Sequence, residues 1–365
     1  MGLKCIIDSD HTCDRSHCKV ALTSQLPKDR PPSIRDVARL AGVSYQTVSR
    51  VLNHHPSIRE STRARVTQVM AEIQYRPNRA ARMLVTRHSR TIGVLSASSA
   101  EYGPAASIVA IEDAARAADY YVNIANLATA DPESISEALE HLMEQAIEGL
   151  VVIAPQVRVF DGLAAMSIDV PYVSFQPAGQ GELLLPSDQV AGARMATRHL
   201  IDLGHREIIH LGGPQDWIEA DARMRGFLAE IDIADLNTNA PILGDWSAEF
   251  GYFAGRELLA TRDFSAVFAA SDHMALGLLH AFHDAGLDIP AEVSVVGFDD
   301  IPDARHFWPP LTTIRQDFAE IGRRALEVLL GEVNGDEVAQ RQPIRPELVV
   351  RSSTGRAPVS AAKRR

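Results

Sequence analysis

Cysteine is nearly absent: the 365 residues hold only Cys5, Cys13 and Cys18. No disulfide framework can shape the rest of the chain, and a reducing compartment, the cytoplasm, is expected. There is also no apolar run of the roughly 18 residues that a membrane-spanning helix requires, and the N-terminus has no apolar stretch suited to a secretory signal. Membrane association is therefore not expected. Lysine is missing between residues 33 and 90, where acids are scarce too. Eleven arginines stand there against Asp36, Glu60 and Glu72, a local charge of +8. The first 32 residues add +1, so the remainder carries −20 beneath the overall −11. A small basic module fused to a large acidic body suits a head that binds a polyanion and a body that regulates or catalyses. With 46% apolar and 23% charged residues, the composition excludes wholesale disorder, collagen-like repeats and a coiled coil.

Residues 1–32 have no periodicity and end in a proline-rich run, so they read as a disordered tail. Its cluster of Cys5, His11, Cys13, His17 and Cys18 matches no paired-cysteine metal spacing, and no metal or cofactor is expected. From Ser33 onward the pattern changes. Ser33 and Asp36 can form a capping box, after which Ile34, Val37, Ala38 and Ala41 repeat at helical spacing. Gly42 breaks that helix and Ser44 can cap the next. There Val48, Val51 and Leu52 face inward and Tyr45, Gln46, Ser49 and Arg50 face outward. Two short helices so joined make a helix-turn-helix, whose second helix enters a major groove. A third helix is expected near 60–73, with Ser57 and Glu60 as its capping pair. Residues 33–75 form this head and 76–90 a hinge helix and linker.

Beyond Arg90 short β-branched runs alternate with amphipathic helices. Strands are expected at 91–96, 121–127, 150–154, 172–175, 208–212, 266–270 and 293–298. Helices are expected near 105–118, 133–146, 189–203, 220–231, 248–260, 273–285 and 317–330. This is βαβ repetition, hence an α/β body with parallel sheets. The 265 residues from 91 to 355 exceed one comfortable core, so two lobes with a cleft are expected, with ligand at the carboxyl ends of strands. Residues 356–365 read as a second tail. It lacks leucine heptads, which leaves a homodimer as the expected assembly.

The segment SIRDVARLAGVSYQTVSRVLN, residues 33–53, resembles the DNA-reading head of the lactose repressor (LacI/GalR) family. YRPNRAARMLVTRHSRTIGV, residues 75–94, resembles that family's hinge. GHREIIHLGGP, SDHMALGLL, VSVVGFDD and PPLTTIRQDFAEIGRRA resemble its periplasmic-binding-protein-like body, in the family's order. In motif detail the chain is nearest to sugar-responsive, lactose-repressor-like members. The resemblance implies a repressor of sugar-utilisation genes, bound as a dimer to a pseudo-palindromic double-stranded operator and released by a small, galactoside-like saccharide.

It further implies that Tyr45, Gln46 and Arg50 read bases. Arg50 can give two donors to guanine and Gln46 can pair with adenine. Ser33, Ser44, Thr47, Ser49, Asn53, Asn78, Arg79 and Ala81 are implied at the DNA as well. Leu84 is implied as a wedge between base steps of the minor groove. For the effector it implies Tyr102, Gln176, Arg223, Trp246, Ser271, Asp272, Asp299, Gln316 and Phe318. Trp246 would form an apolar floor beneath a sugar ring, Arg223 and Asp299 would take hydroxyls, and Asp272 would stand at the cleft rim. Gln176 and Ser271 depart from the lactose-repressor pattern, which leaves the sugar class but not a particular sugar. Two other kinds of reading stay open. One is a corepressor-type regulator answering to a purine or a phosphoprotein; the other is a sugar-binding transport receptor or a sugar-acting enzyme. No nucleophile elbow, Walker loop or zinc-protease motif is present, so catalysis is not expected.

Overall fold

The computed structural model describes residues 30–53, 55–76, 83, 88–97, 100–174, 183–184, 187–237, 239–336 and 342–358. The expected hinge helix, with Asn78, Arg79, Ala81 and Leu84, lies outside the described residues. So do Gln176, the three cysteines and the last seven residues. The chain divides into two compact units, one ending at Ser89 and the other beginning at Arg90.

The first unit is a three-helix head: α1 (Ile34–Ala41), α2 (Tyr45–Leu52) and α3 (Glu60–Glu72). Asp36 accepts hydrogen bonds from the Ser33 backbone N–H at 2.9 Å and the Ser33 hydroxyl at 2.6 Å. It also pairs with Arg30 at 2.9 Å, and its carboxyl is held down to about 2, chiefly by the Ser33 hydroxyl. Arg30, inside the stretch read as tail, thus bonds to the head. Gly42 ends α1 at φ +61°, a conformation that a side chain would strain. Val37, Val48 and Val66 are fully buried at the centre of a small apolar cluster that also takes Val51, Val69 and Ile73. One expectation fails here. Arg59 is the N-cap of α3 and makes no capping bond, while the Ser57 hydroxyl bonds His55 Nδ1 at 2.9 Å.

The second unit contains two sheets. The first has order β2-β1-β3-β4-β5 and is parallel throughout: β1 (Thr91–Ser96), β2 (Tyr121–Asn126), β3 (Gly149–Ile153), β4 (Tyr172–Ser174) and β5 (Leu183–Leu184). Its crossover helices are α4 (Tyr102–Ala117), α5 (Pro132–Glu144) and α6 (Val157–Ala164). The chain then passes to the second lobe through α7 (Gln189–Asp202), β6 (Ile208–Gly212), α8 (Ile218–Ile233), β7 (Ile242–Leu243), α9 (Ala248–Thr261), β8 (Ala266–Ala269), α10 (Asp272–Asp284), β9 (Ser294–Asp299) and β10 (Thr312–Arg315). It returns as α11 (Phe318–Asn334), whose Ile321, Ala325 and Leu329 pack in the first sheet's apolar cluster. It crosses a third time to add β11 (Glu347–Val349) antiparallel to β10, so the second sheet runs β11-β10-β9-β8-β6-β7. Central strands are buried along their length, as continuous β-branched runs covered on both faces require.

β5, β7, β10, β11 and α6 were not among the expected elements. The first two are two residues long, β11 is an edge strand, and VRVFDGLA in α6 alternates like a strand. The body also runs past Arg356: the Ala357 N–H donates to the Leu203 carbonyl at 2.9 Å. Among the described residues, no helix is long and apolar enough to cross a membrane.

Candidate functional site

On the head, α2 presents one polar face. Its N-cap Ser44 accepts from the Thr47 N–H at 3.1 Å, and the two hydroxyls lie 2.9 Å apart. Tyr45, Gln46 and Arg50 are exposed, while Val48 and Val51 anchor the opposite side. Tyr45 is 47% exposed, so it is not the partly buried packing residue that its ring would suggest. The arrangement offers donors on a short helix whose far side is fixed, which is what reading base edges requires.

In the body, the carboxyl ends of β1, β3, β6, β8, β9 and β10 turn toward one cleft between the two sheets. Tyr102, Arg223, Trp246, Ser271, Asp299, Gln316 and Phe318 all line it. At its floor lies a closed ring of hydrogen bonds. Arg223 donates from Nε to Gln189 Oε1 at 2.9 Å and from a terminal nitrogen to Asp299 at 3.2 Å. Gln189 donates to Gln316 at 2.6 Å, and Gln316 donates to the same Asp299 oxygen at 2.8 Å. Arg223 also donates to the Ala270 carbonyl and stacks 3.9 Å over the Phe298 ring. Burial pushes the Asp299 carboxyl above the ordinary carboxylate range, and the Arg223 guanidinium pulls it partly back.

Above the ring sits Trp246, only 7% exposed, with its indole Nε1 buried and without a hydrogen-bond partner. Its backbone is at φ +71° and that of Asp299 at φ +106°, conformations that non-glycine residues keep only when their surroundings enforce them. Gly213 makes Trp246's place possible, because a Cβ there would come within 2.1 Å of the indole. Tyr102, in the first turn of α4, meets Phe318 edge-on at 5.7 Å. Ser271 caps α10 by accepting from the Met274 N–H at 3.2 Å.

Asp272 does not stand at the rim. It is fully buried, accepts from Thr313 Oγ1 at 2.5 Å and from the Ile301 N–H at 2.8 Å, and lies beneath the cleft. Burial, with Asp299 nearby, drives its carboxyl well above the usual range. As the first residue of α10 it turns inward while its neighbour Ser271 faces the cleft. Asp300 is occupied as well, pairing with Arg315 at 2.7 Å and Arg351 at 2.6 Å.

Residues that the sequence did not suggest also line the cleft: Gln189, Trp217, Glu101, Glu219 and His273. Trp217 is the N-cap of α8 and makes no side-chain capping bond. Ser, Thr, Asp or Asn at such a position would stabilise the helix by about 1 kcal/mol. A tryptophan against local preference was the available signal. Trp217 also belongs to a clasp between the lobes. The Val157 N–H donates to the Asp216 carbonyl at 3.2 Å, the Ile218 N–H donates to the Pro155 carbonyl at 2.9 Å, and Arg158 pairs with Asp216.

Below the floor, His210 is fully buried, stacked between Phe227 and Phe268, and donates from Nδ1 to the Phe268 carbonyl at 3.0 Å. Burial lowers its imidazole to about 4, so the folded protein holds it neutral. Unfolded chain takes up that proton near the ordinary 6.5, so stability falls as pH drops from 6.5 toward 4, by about 3 kcal/mol. In His210→Phe this slope should vanish from urea-melting stabilities measured between pH 7 and 4. Asp272 and Asp299 act oppositely, but they are present in both proteins and cancel in the comparison.

Two family models match the chain. The model for bacterial regulatory proteins of the lacI family covers residues 33–78, and a periplasmic binding protein-like domain covers residues 197–354. The lactose operon repressor of Escherichia coli (strain K12) is 34% identical over 329 residues, 89% of this chain and 91% of that protein. The HTH-type transcriptional repressor PurR of Mannheimia succiniciproducens is 31% identical over 328 residues, 88% of this chain and 98% of that protein. Among solved structures, a lac repressor dimer bound to operator and the anti-inducer ONPF superposes with a TM-score of 0.79 at 33% identity, covering 89% of this chain and all of that one. The head's exposed reading helix, the two-lobed body and this likeness along nearly the whole chain agree: the protein belongs to the lacI family of bacterial regulatory proteins and is a DNA-binding transcriptional repressor.

Proposed function

We propose that a small saccharide in the interlobe cleft sets this repressor's affinity for its operator. The observation that carries this reading is the pairing of a buried indole floor, Trp246, with planar polar groups beneath it, Arg223, Asp299 and Gln316. An apolar platform bordered by a few convergent polar groups suits a ring whose faces carry C–H and whose edge carries hydroxyls. The lactose named for one relative points the same way.

Tyr45, Gln46 and Arg50 read bases in this proposal, with Ser33, Ser44, Thr47, Ser49 and Asn53 at the backbone. Asn78, Arg79, Ala81 and Leu84 engage the minor groove. Two copies pair in the cytoplasm on a pseudo-palindromic site. The exposed Phe253 and Leu276 on α9 and α10 offer an apolar face for that pairing. In this proposal the cleft binds rather than catalyses, in keeping with Asp272 and Asp300 being engaged in structural bonds.

The test is to select preferred sites from random duplex DNA and titrate the complex with galactosides, glucosides, pentosides and purines. A saccharide should loosen the complex. A 100-fold loosening corresponds to about 2.7 kcal/mol of coupling. Tightening by a purine, with no effect of any sugar, would instead establish the corepressor reading, which the PurR likeness favours.

A further inference from the structure

Given a saccharide effector, as proposed above, we infer that Trp217 forms a second wall of the site and selects a glycoside of two rings over a single sugar. The Trp217 and Trp246 rings both line the cleft, with centroids 5.2 Å apart and planes at 62°. A pyranose has two apolar faces, and these are parallel to each other. One sugar ring therefore cannot lie flat on both indoles. Two rings joined by a glycosidic bond, each turned relative to the other, can cover the corner.

Trp217 is held in place from both sides. Its neighbours Asp216 and Ile218 are the residues that bond across to Val157 and Pro155 of the other lobe. Its indole is half-buried, packed on the same apolar cluster as Trp246, and keeps surface toward the cleft. An aromatic wall fixed by backbone bonds on either side loses little freedom when a ligand stacks on it.

Calorimetric titration of the full-length protein tests this, with galactose, glucose, lactose, cellobiose and phenyl β-galactoside as probes. At least one two-ring probe should bind ten or more times as tightly as its parent monosaccharide. Trp217→Ala should abolish that margin and leave monosaccharide affinity within about twofold, while Trp217→Phe retains most of it. Loss confined to lactose and cellobiose identifies a second sugar as the occupant; loss confined to phenyl β-galactoside identifies an aryl aglycone. Ligand-free operator affinity and melting temperature check that each variant is folded. A margin that survives in Trp217→Ala overturns the inference, as does an equal weakening of monosaccharides and two-ring probes. A wild-type preference for single sugars also overturns it, while leaving the saccharide reading intact. If wild type binds none of the five probes, the inference is overturned, and the saccharide reading is then decided separately by the pentosides of the operator titration.

Discussion

Arg223→Met should destabilise the body by about 3–5 kcal/mol, the range seen when one partner is taken from a buried ion pair. Asp299 loses its only cation in the ring of bonds, and the Ala270 carbonyl and Gln189 lose a donor. The stacking over Phe298 goes too. The sign of the pH dependence follows from the same contacts. Burial already raises the Asp299 carboxyl, and Arg223 is the main group holding it down. Without Arg223 the carboxyl rises further, and stability above the ordinary carboxylate range is lost as pH rises through the new value. The penalty should therefore be smaller at pH 5 than at pH 7.5, read from urea melts. Adding Asp299→Leu to Arg223→Met should restore much of the stability, because it removes the stranded charge. It should not restore a response to sugar, because the polar clamp is gone. A double variant that regains both would mean that the pair only holds the fold together.

Arg50→Ala should lower affinity for a specific operator by about 1–3 kcal/mol per half-site and relax the base preference at one position in each. Since every 1.4 kcal/mol is tenfold, a loss of 2 kcal/mol is a drop of about 30-fold. Arg50 lies on the exposed face of α2, away from Val37, Val48 and Val66, so melting of the head should be unchanged. Random duplex DNA should bind nearly as before. Equal weakening on specific and random DNA, with a smaller salt dependence, would make Arg50 a phosphate contact instead.

How much could be read from the chain alone differed between head and body. In the head, Val37, Ala38 and Ala41, then Val48, Val51 and Leu52, then Val66, Val69 and Ile73 recur at helical spacing, the first two sets behind the capping serines Ser33 and Ser44, so the three helices follow from local pattern. In the body, parallel strands with crossover helices follow from βαβ alternation, but β10 and β11 do not. Thr312–Arg315 sits just after a Pro-Pro pair, and Glu347–Val349 pairs antiparallel only because the chain returns from the other lobe. The cleft was legible where its residues fell within recognisable motifs, as for Arg223, Asp299 and Gln316. It was not legible at Trp217 and Gln189, which lie at helix starts between those motifs. Their place in the site depends on contacts far apart in sequence, such as Gln189 with Gln316. Asp272 was misplaced for a related reason: adjacency to Ser271 says nothing of direction, and the first residue of a helix can turn away from its cap.

The threefold passage of the chain between the lobes has a consequence for anyone dividing the body into pieces. Neither lobe is a continuous stretch of sequence. A fragment ending at Arg315 would lack α11, and with it Ile321, Ala325 and Leu329 from the first lobe's apolar cluster. A fragment beginning at Gln189 would carry that helix with nothing to cover its apolar side. No single cut yields two self-sufficient halves, so split-protein reporters or two-hybrid fusions built on one lobe alone should aggregate. Insertions that preserve both lobes belong in surface turns such as Ala118–Tyr120, outside all three crossings.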